Sequence, residues 1–283
     1  MADRQQAGAQ RQAEHYARIH EDYAAHYYDA QSMAYRERFV FDPMFRGLDL
    51  NGQVVADLAC GSGLNSVALL QRFPHARPLG FDLSAKACDD YRRLVGSTAH
   101  QLDLTAGGAP QPQVDVAMIF GGLHHCVCNL PGTIETIAGL LKPGGLLLMY
   151  EPSARFFLEG LRRLWYRLDR YFDAQTEHAL DHDAILRLAA PRFDAIDCVY
   201  GGGPAYFLIF NSLVLRVPSG FKRRLARPLF WAEAAYERLP GRGAFPVFIA
   251  RWRRRADAEP PCDDLPGLGA AAGAPAWRGA PRG

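Results

Sequence analysis

The chain has 283 residues, 49% of them hydrophobic and 22% charged, which supplies a real core and excludes a wholly disordered chain. Lys and Arg total 32 against 30 Asp and Glu, and a net charge of only +2 argues against a dedicated nucleic-acid binder. One α/β domain with appended segments suits this size better than two equal domains.

The opening Met1-Ala2-Asp3-Arg4-Gln5-Gln6 is polar, so no secretory signal is expected. Residues 1–47 are helix-prone, with Tyr16, Tyr23, Tyr27, Tyr28 and Tyr35 at mixed helical spacings, and predict an N-terminal helical cap. From residue 53 short apolar runs alternate with amphipathic segments. Strands are predicted at 53–58, 77–81, 98–102, 114–120 and 145–150, and helices at 64–72, 85–95 and 131–140. Pro143-Gly144-Gly145 is expected to stop the last of these helices and start the fifth strand. Alternation at this spacing predicts a doubly wound, mostly parallel sheet covered on both faces.

Beyond it, helices are expected over 153–170 and from about Asp181, and strands at 195–200 and 246–252. An apolar, basic stretch between the last two strands predicts a helical insertion over 204–244. Its longest apolar run, Tyr206 to Val217, is broken by Asn211, Ser212 and Arg216 and falls short of the ~20 residues of a membrane span. Ala, Gly and Pro dominate 256–283, which predicts a disordered tail after a domain at 48–255.

The sharpest motif is Val54-Val55-Ala56-Asp57-Leu58-Ala59-Cys60-Gly61-Ser62-Gly63, between a predicted strand and a predicted helix. Small residues let a ligand approach the backbone, and a helix N-terminus favours an anionic group. A dinucleotide site would want a third Gly or Ala three residues after Gly63, where Ser66 stands. A nicotinamide-dependent oxidoreductase is therefore the weaker reading. Asp82, ending the second strand, can accept hydrogen bonds from both ribose hydroxyls of an adenosine, and Asp103 follows the third strand where an adenine amino group would lie.

With these residues the chain resembles the class I S-adenosylmethionine-dependent methyltransferases, strongly over 53–152 and in outline over 1–47 and 153–252. The family's first motif, an acidic residue before Gly-x-Gly-x-Gly, is matched by Asp57 to Gly63 with Ala59 in the first glycine place. Val114 to Phe120 with Leu123-His124-His125 resembles the fourth motif, and Leu141-Lys142-Pro143-Gly144-Gly145 the segment before the fifth strand. The resemblance implies a Rossmann-like sheet with an antiparallel last strand and S-adenosylmethionine as cofactor. It implies a cofactor site of Asp57, Ala59, Gly61, Gly63, Asn65, Asp82, Leu83, Asp103, Leu104 and Phe120. A methyltransferase-like protein that binds without turnover is the other reading.

His124 and His125 lie where the fourth strand delivers its end to the cleft, and either could deprotonate a hydroxyl acceptor or simply shape the cofactor pocket. His124-His125-Cys126-Val127-Cys128 has zinc-ligand types without zinc-ligand spacing, and no metal is expected; six cysteines without a disulfide pattern suit a cytoplasmic chain. Glu177, His178, Asp181, His182 and Asp183 form a polar cluster in which Asp181 reads most simply as a helix N-cap. Tyr23, Tyr27 and Tyr28 could close over the methionine part of the cofactor, with Arg36 pairing its carboxylate. The span 216–255 interleaves eleven Lys and Arg with large apolar residues, among them Lys222, Arg223, Arg224 and Arg227, and fits an anionic membrane face, a grip on an acidic, apolar acceptor, or a solvated helical face. The expected partner is a small, apolar acceptor, with O-methylation favoured.

Overall fold

The computed structural model describes residues 29–107, 113–168 and 178–256. The strands are β1 (Val54–Leu58), β2 (Arg77–Asp82), β3 (Ala99–Gln101), β4 (Val114–Phe120), β5 (Leu141–Pro152), β6 (Phe193–Gly201) and β7 (Val247–Arg254). They form one seven-stranded sheet in the order β3-β2-β1-β4-β5-β7-β6. Neighbours from β3 to β5 run parallel, and β7 lies antiparallel between β5 and β6. The order turns back between β1 and β4, which opens a crevice at their C-terminal ends.

Side chains alternate along each strand between two cores. Val55, Val116, Met118 and Leu148 face one core, shared with α1 (Ala30–Arg36) and α2 (Leu64–Arg72) through Tyr35, Ala68 and Leu69. Ala56, Leu58, Ala117, Ile119, Leu147 and Met149 face the other, shared with α4 (Leu130–Leu140) and α6 (His182–Ala189) through Ile134, Ile137 and Ile185. Helix α3 (Ala85–Val95) starts where Ser84 Oγ accepts from the Ala87 N–H and ends at Gly96, whose φ of 71° is the left-handed cap glycine tolerates.

Two elements start more than two residues from the sequence expectation. Helix α4 ends at Leu140 and β5 begins at once, Leu141 pairing with Val114. The register then shifts so that Leu146 pairs with Val116, and Pro143-Gly144-Gly145 forms an irregularity inside the strand. Helix α5 (Glu159–Leu168) begins later than Ser153, because backbone bonds to Pro246, Leu180 and Gly243 hold residues 153–157 extended or turned.

Helix α1 continues through a π-helical turn at Glu37–Phe41 into Asp42–Met44. The lid tyrosines Tyr23, Tyr27 and Tyr28, and Tyr16, lie outside the described residues, as do Glu177 and the tail from residue 257. After β6 come a π-helical turn at Tyr206–Phe210, a short helix at Ser212–Leu215 and α7 (Ser219–Tyr236). Buried Glu233 of α7 ties this segment to α1: its carboxylate accepts from Tyr35 Oη at 2.6 Å and from the N–H groups of Gly203 and Ala205 at 2.8 Å each. Lys222, grouped above with the surface cations, is instead 1% exposed. Its ammonium pairs with Asp29 and donates to Ser32 Oγ at 3.0 Å, since a buried lysine requires such partners. Among the described residues no helix is long and apolar enough to cross a membrane.

Candidate functional site

The loop from β1 to α2 is set by backbone conformation. Ala59, Gly61 and Gly63 all have positive φ, 51°, 53° and 91°. For Ala59 this is uncommon and costs free energy, a strain that functional loops often store. Around Gly61 an added Cβ would meet nothing within 4 Å, so open space lies over the loop there. Gly63 owes its size to packing: a Cβ would come within 2.4 Å of Val95 Cγ2 and 2.7 Å of Tyr91 Cδ2 on α3. Gly122, after β4, likewise has room for no more than hydrogen, with the Ala59 Cβ 2.9 Å from where its own would be.

Asp82 joins the loop to the end of β2. One carboxylate oxygen accepts the Gly61 N–H at 2.9 Å and the other the Ser84 N–H at 2.8 Å. Burial raises its pKa, and these donors pull it back. The Leu83 N–H also contributes, and three donors leave the carboxylate lone-pair capacity for a further one. Leu83 is half-buried beside it, and its carbonyl accepts from Gln101 Nε2. Asp103 accepts from Thr105 N and Oγ1 with the same oxygen, next to buried Leu104.

Beneath the loop, Asp57 is fully buried and its pKa is pushed up to about 7, first by burial and also by the charge of Asp82. Ser66 Oγ donates to Asp57 Oδ2 at 2.7 Å and lies 2.8 Å from the Tyr91 hydroxyl, while Asp57 Oδ1 has no partner among the described residues. Arg36 reaches in from α1, donates to Asn65 Oδ1 in the first turn of α2, and stands 5.2 Å from the Phe210 ring centroid. Phe120, ending β4, meets Phe41 edge to face at 5.4 Å, and Tyr150, near the end of β5, meets Phe210 at 6.1 Å. Aromatic rings from the Glu37–Phe41 and Tyr206–Phe210 turns therefore lie against the C-terminal ends of the central strands.

The loop after β4 brings both histidines together, their ring centroids 3.9 Å apart. A residue passed over in the sequence organises it. Glu151, fully buried near the end of β5, accepts the N–H groups of Gly122, Leu123 and His124 at 3.0, 2.8 and 3.2 Å, and meets His124 Nδ1 at 2.8 Å. Burial, reinforced by the charge of Arg162, pushes the His124 pKa down to about 3 and keeps its ring neutral. Burial also pushes the Glu151 carboxyl up to about 8, so the shared proton sits on either partner according to the tautomer; with Nδ1 as the donor, Nε2 is unprotonated. A carboxylate closing an apolar run, Leu146 to Tyr150, was the signal for Glu151.

Residues 55–145 match the model of a methyltransferase domain. A trans-aconitate 2-methyltransferase of Rhodopseudomonas palustris is 33% identical over 100 residues, 35% of this chain and 38% of that protein. A demethylmenaquinone methyltransferase of Symbiobacterium thermophilum is 28% identical over 184 residues, 58% of this chain and 71% of that protein. The match thus spans well under half the length of the trans-aconitate relative. In fold, a putative sarcosine dimethylglycine methyltransferase from Galdieria sulphuraria superposes with a TM-score of 0.55 at 12% identity, covering 80% of this chain and 87% of that one.

Over residues 55–145 the chain carries a methyltransferase domain, on the class I fold. The family's cofactor can be tested against the residues of the domain, and they fit. Open space over Gly61, lone pairs left on Asp82 and an unmet buried acceptor at Asp57 Oδ1 lie around one loop, where an adenosine with a charged amino-acid arm needs a bare backbone, a ribose acceptor and a counter-charge. Ser66, which argued against a dinucleotide, is spent on Asp57.

Elsewhere in the chain the polar cluster resolves as capping. Asp181 Oδ1 accepts from the N–H groups of Asp183 and Ala184 at the start of α6, Arg155 and Arg242 pair with Asp183, and His182 accepts from Trp252 Nε1 at 3.2 Å. Cys126 is buried and donates to the Gly122 carbonyl, while Cys128 is exposed.

Proposed function

We propose that the chain transfers a methyl group from S-adenosylmethionine to a hydroxyl of a small, apolar acceptor. The observation that supports it most is the joint placement of Gly61, Asp82 and Asp57 at the ends of β1 and β2, with the Gly61 N–H fixed on the Asp82 carboxylate. When bound, the cofactor supplies an electrophilic methyl on a sulfonium. The chain's part is to hold donor and acceptor in line and exclude water. In this reading Asp82 accepts from the ribose hydroxyls, Leu83, Asp103 and Leu104 flank the adenine, and Arg36, Asn65 and Asp57 receive the charged methionine end.

The apolar acceptor rests on the rings of Phe41, Phe120, Tyr150 and Phe210 beside the strand ends. A relative named for demethylmenaquinone agrees with an apolar acceptor; the one named for trans-aconitate covers less of this chain. A hydroxyl must lose its proton, and His124 is the candidate base in the state where Glu151 is ionised: Glu151 then accepts from Nδ1 and offsets the burial that otherwise disfavours a proton on Nε2. His125 shapes the same loop. The assignment is tested by mass spectrometry of small-molecule extracts from cells with and without the protein. A product heavier by one methyl group supports it, and extracts that do not differ count against it.

A further inference from the structure

Helix α7 turns an unusual face outward. Its only acidic side chain, Glu233, is buried against α1, and Lys222 is consumed by Asp29 and Ser32. Outward remain Arg223, Arg224 and Arg227, all exposed, together with Arg238 just past the helix. Among them stands Trp231, 78% exposed, and at the start of the helix Phe221, 42% exposed. Arg224 and Arg227 precede Trp231 by seven and four residues, so at 3.6 residues per turn their guanidinium groups lie on the tryptophan's side of the helix, and exposed Arg238 follows in the turn just past its C-terminal end.

We infer that this face of α7 docks on an anionic phospholipid surface. Charge complementarity selects the occupant: four exposed arginines against one half-buried carboxylate, Glu237 beside Arg238, attract acidic headgroups, and an indole among arginines suits the headgroup level, where one side is wet and the other apolar. A solvated face would be expected to intersperse acids among the arginines and has no use for a projecting Trp. Docking would also place α1, which α7 covers and which ends at Arg36, and the π-helical turn that ends at Phe41, toward the bilayer. The inference does not depend on the methyltransferase reading, because it concerns association and not turnover.

The test is co-sedimentation of the full chain with vesicles of pure phosphatidylcholine and of phosphatidylcholine with an equal part of phosphatidylglycerol. The wild type is expected to prefer the acidic vesicles and to be released by salt. Each arginine changed to Gln should weaken association about fivefold, so that the triple variant Arg224→Gln, Arg227→Gln, Arg238→Gln loses about a hundredfold. All three positions are exposed, and an unchanged circular dichroism spectrum and melting midpoint exclude misfolding as the cause. Trp231→Phe should still sediment but lose the blue shift of tryptophan emission on adding acidic vesicles. Equal affinity for neutral vesicles, a triple variant that sediments like wild type, or self-association in place of vesicle binding would overturn the inference.

Discussion

At the scale of single residues, cofactor binding depends on which groups around the loop already have hydrogen-bond partners. Asp82→Ala should weaken S-adenosylhomocysteine binding by about 2 kcal/mol or more, roughly thirtyfold, since charge-assisted bonds to hydroxyls are lost. Asp82→Asn, which keeps the shape and one acceptor, should fall between; calorimetric titration of both variants checks the order. Gly61→Val meets no packing but strains a backbone at φ 53°, so it should cost about 1–2 kcal/mol of stability and abolish binding by filling the space over the loop, a loss of binding far larger than the shift in melting midpoint. Wild-type affinity in this variant would remove the cofactor from Gly61.

Asp57 adds a pH dependence with a definite sign. Its folded-state pKa of about 7 lies above its ordinary value of 3.8, so the folded state holds the proton more tightly than the unfolded one. The stability this contributes is complete below pH 3.8 and is lost as pH rises toward 7. Asp57→Asn keeps the bond from Ser66 and cannot ionise, so above neutrality it should be the more stable protein by about 2–4 kcal/mol, with no advantage in acid. Urea unfolding at several pH values measures this; an advantage that grows in acid would contradict the assignment.

At the scale of elements, the local signals proved reliable wherever the structure is local. Helices α2 and α3 and strand β4 begin and end where apolar periodicity and the glycine and proline signals put them. The irregular start of β5 escaped, because Pro143-Gly144-Gly145 reads as a terminator and only pairing with β4 shows that the strand runs through it. The delayed start of α5 escaped for the same reason: bonds to Pro246, Leu180 and Gly243 come from distant sequence. Gly63 shows a packing demand inside a binding motif. Gly63→Ala should destabilise the protein by about 2–4 kcal/mol, from overpacking against Val95 and Tyr91 at a positive φ. A melting midpoint like wild type would show that α3 yields.

The loop after β4 is an element organised by one carboxylate. Glu151→Gln presents an amide N–H toward donors that now share a carboxylate, so His124 should lose its fixed tautomer. If His124 is the base, kcat should fall at least tenfold with KM little changed, and the flat neutral arm of the pH profile should become sloped. His124→Asn should lower kcat without that change of shape. A merely structural role for Glu151 would lower stability and leave the profile's form as in wild type.

At the scale of the whole molecule, the sheet and the ends of its strands were legible because a buried parallel sheet writes continuous apolar runs between glycine-marked turns. The positions of Asp57, Gly61 and Asp82 follow from that frame. Burial of Lys222 was not legible: an amphipathic helix looks the same whether Asp29, nearly two hundred residues away in the chain, meets one of its cations or not. Glu151 was obscured likewise, since its four partners come from another strand's loop.

The central claim, that this sheet presents an S-adenosylmethionine site at the loop after β1, is tested most directly by calorimetric titration of the whole chain with S-adenosylhomocysteine and, separately, with NAD. The account predicts stoichiometric binding of S-adenosylhomocysteine, weakened in Asp82→Ala, and no heat from NAD. Binding of NAD in its place, or of S-adenosylhomocysteine with equal strength in wild type and Asp82→Ala, would contradict it.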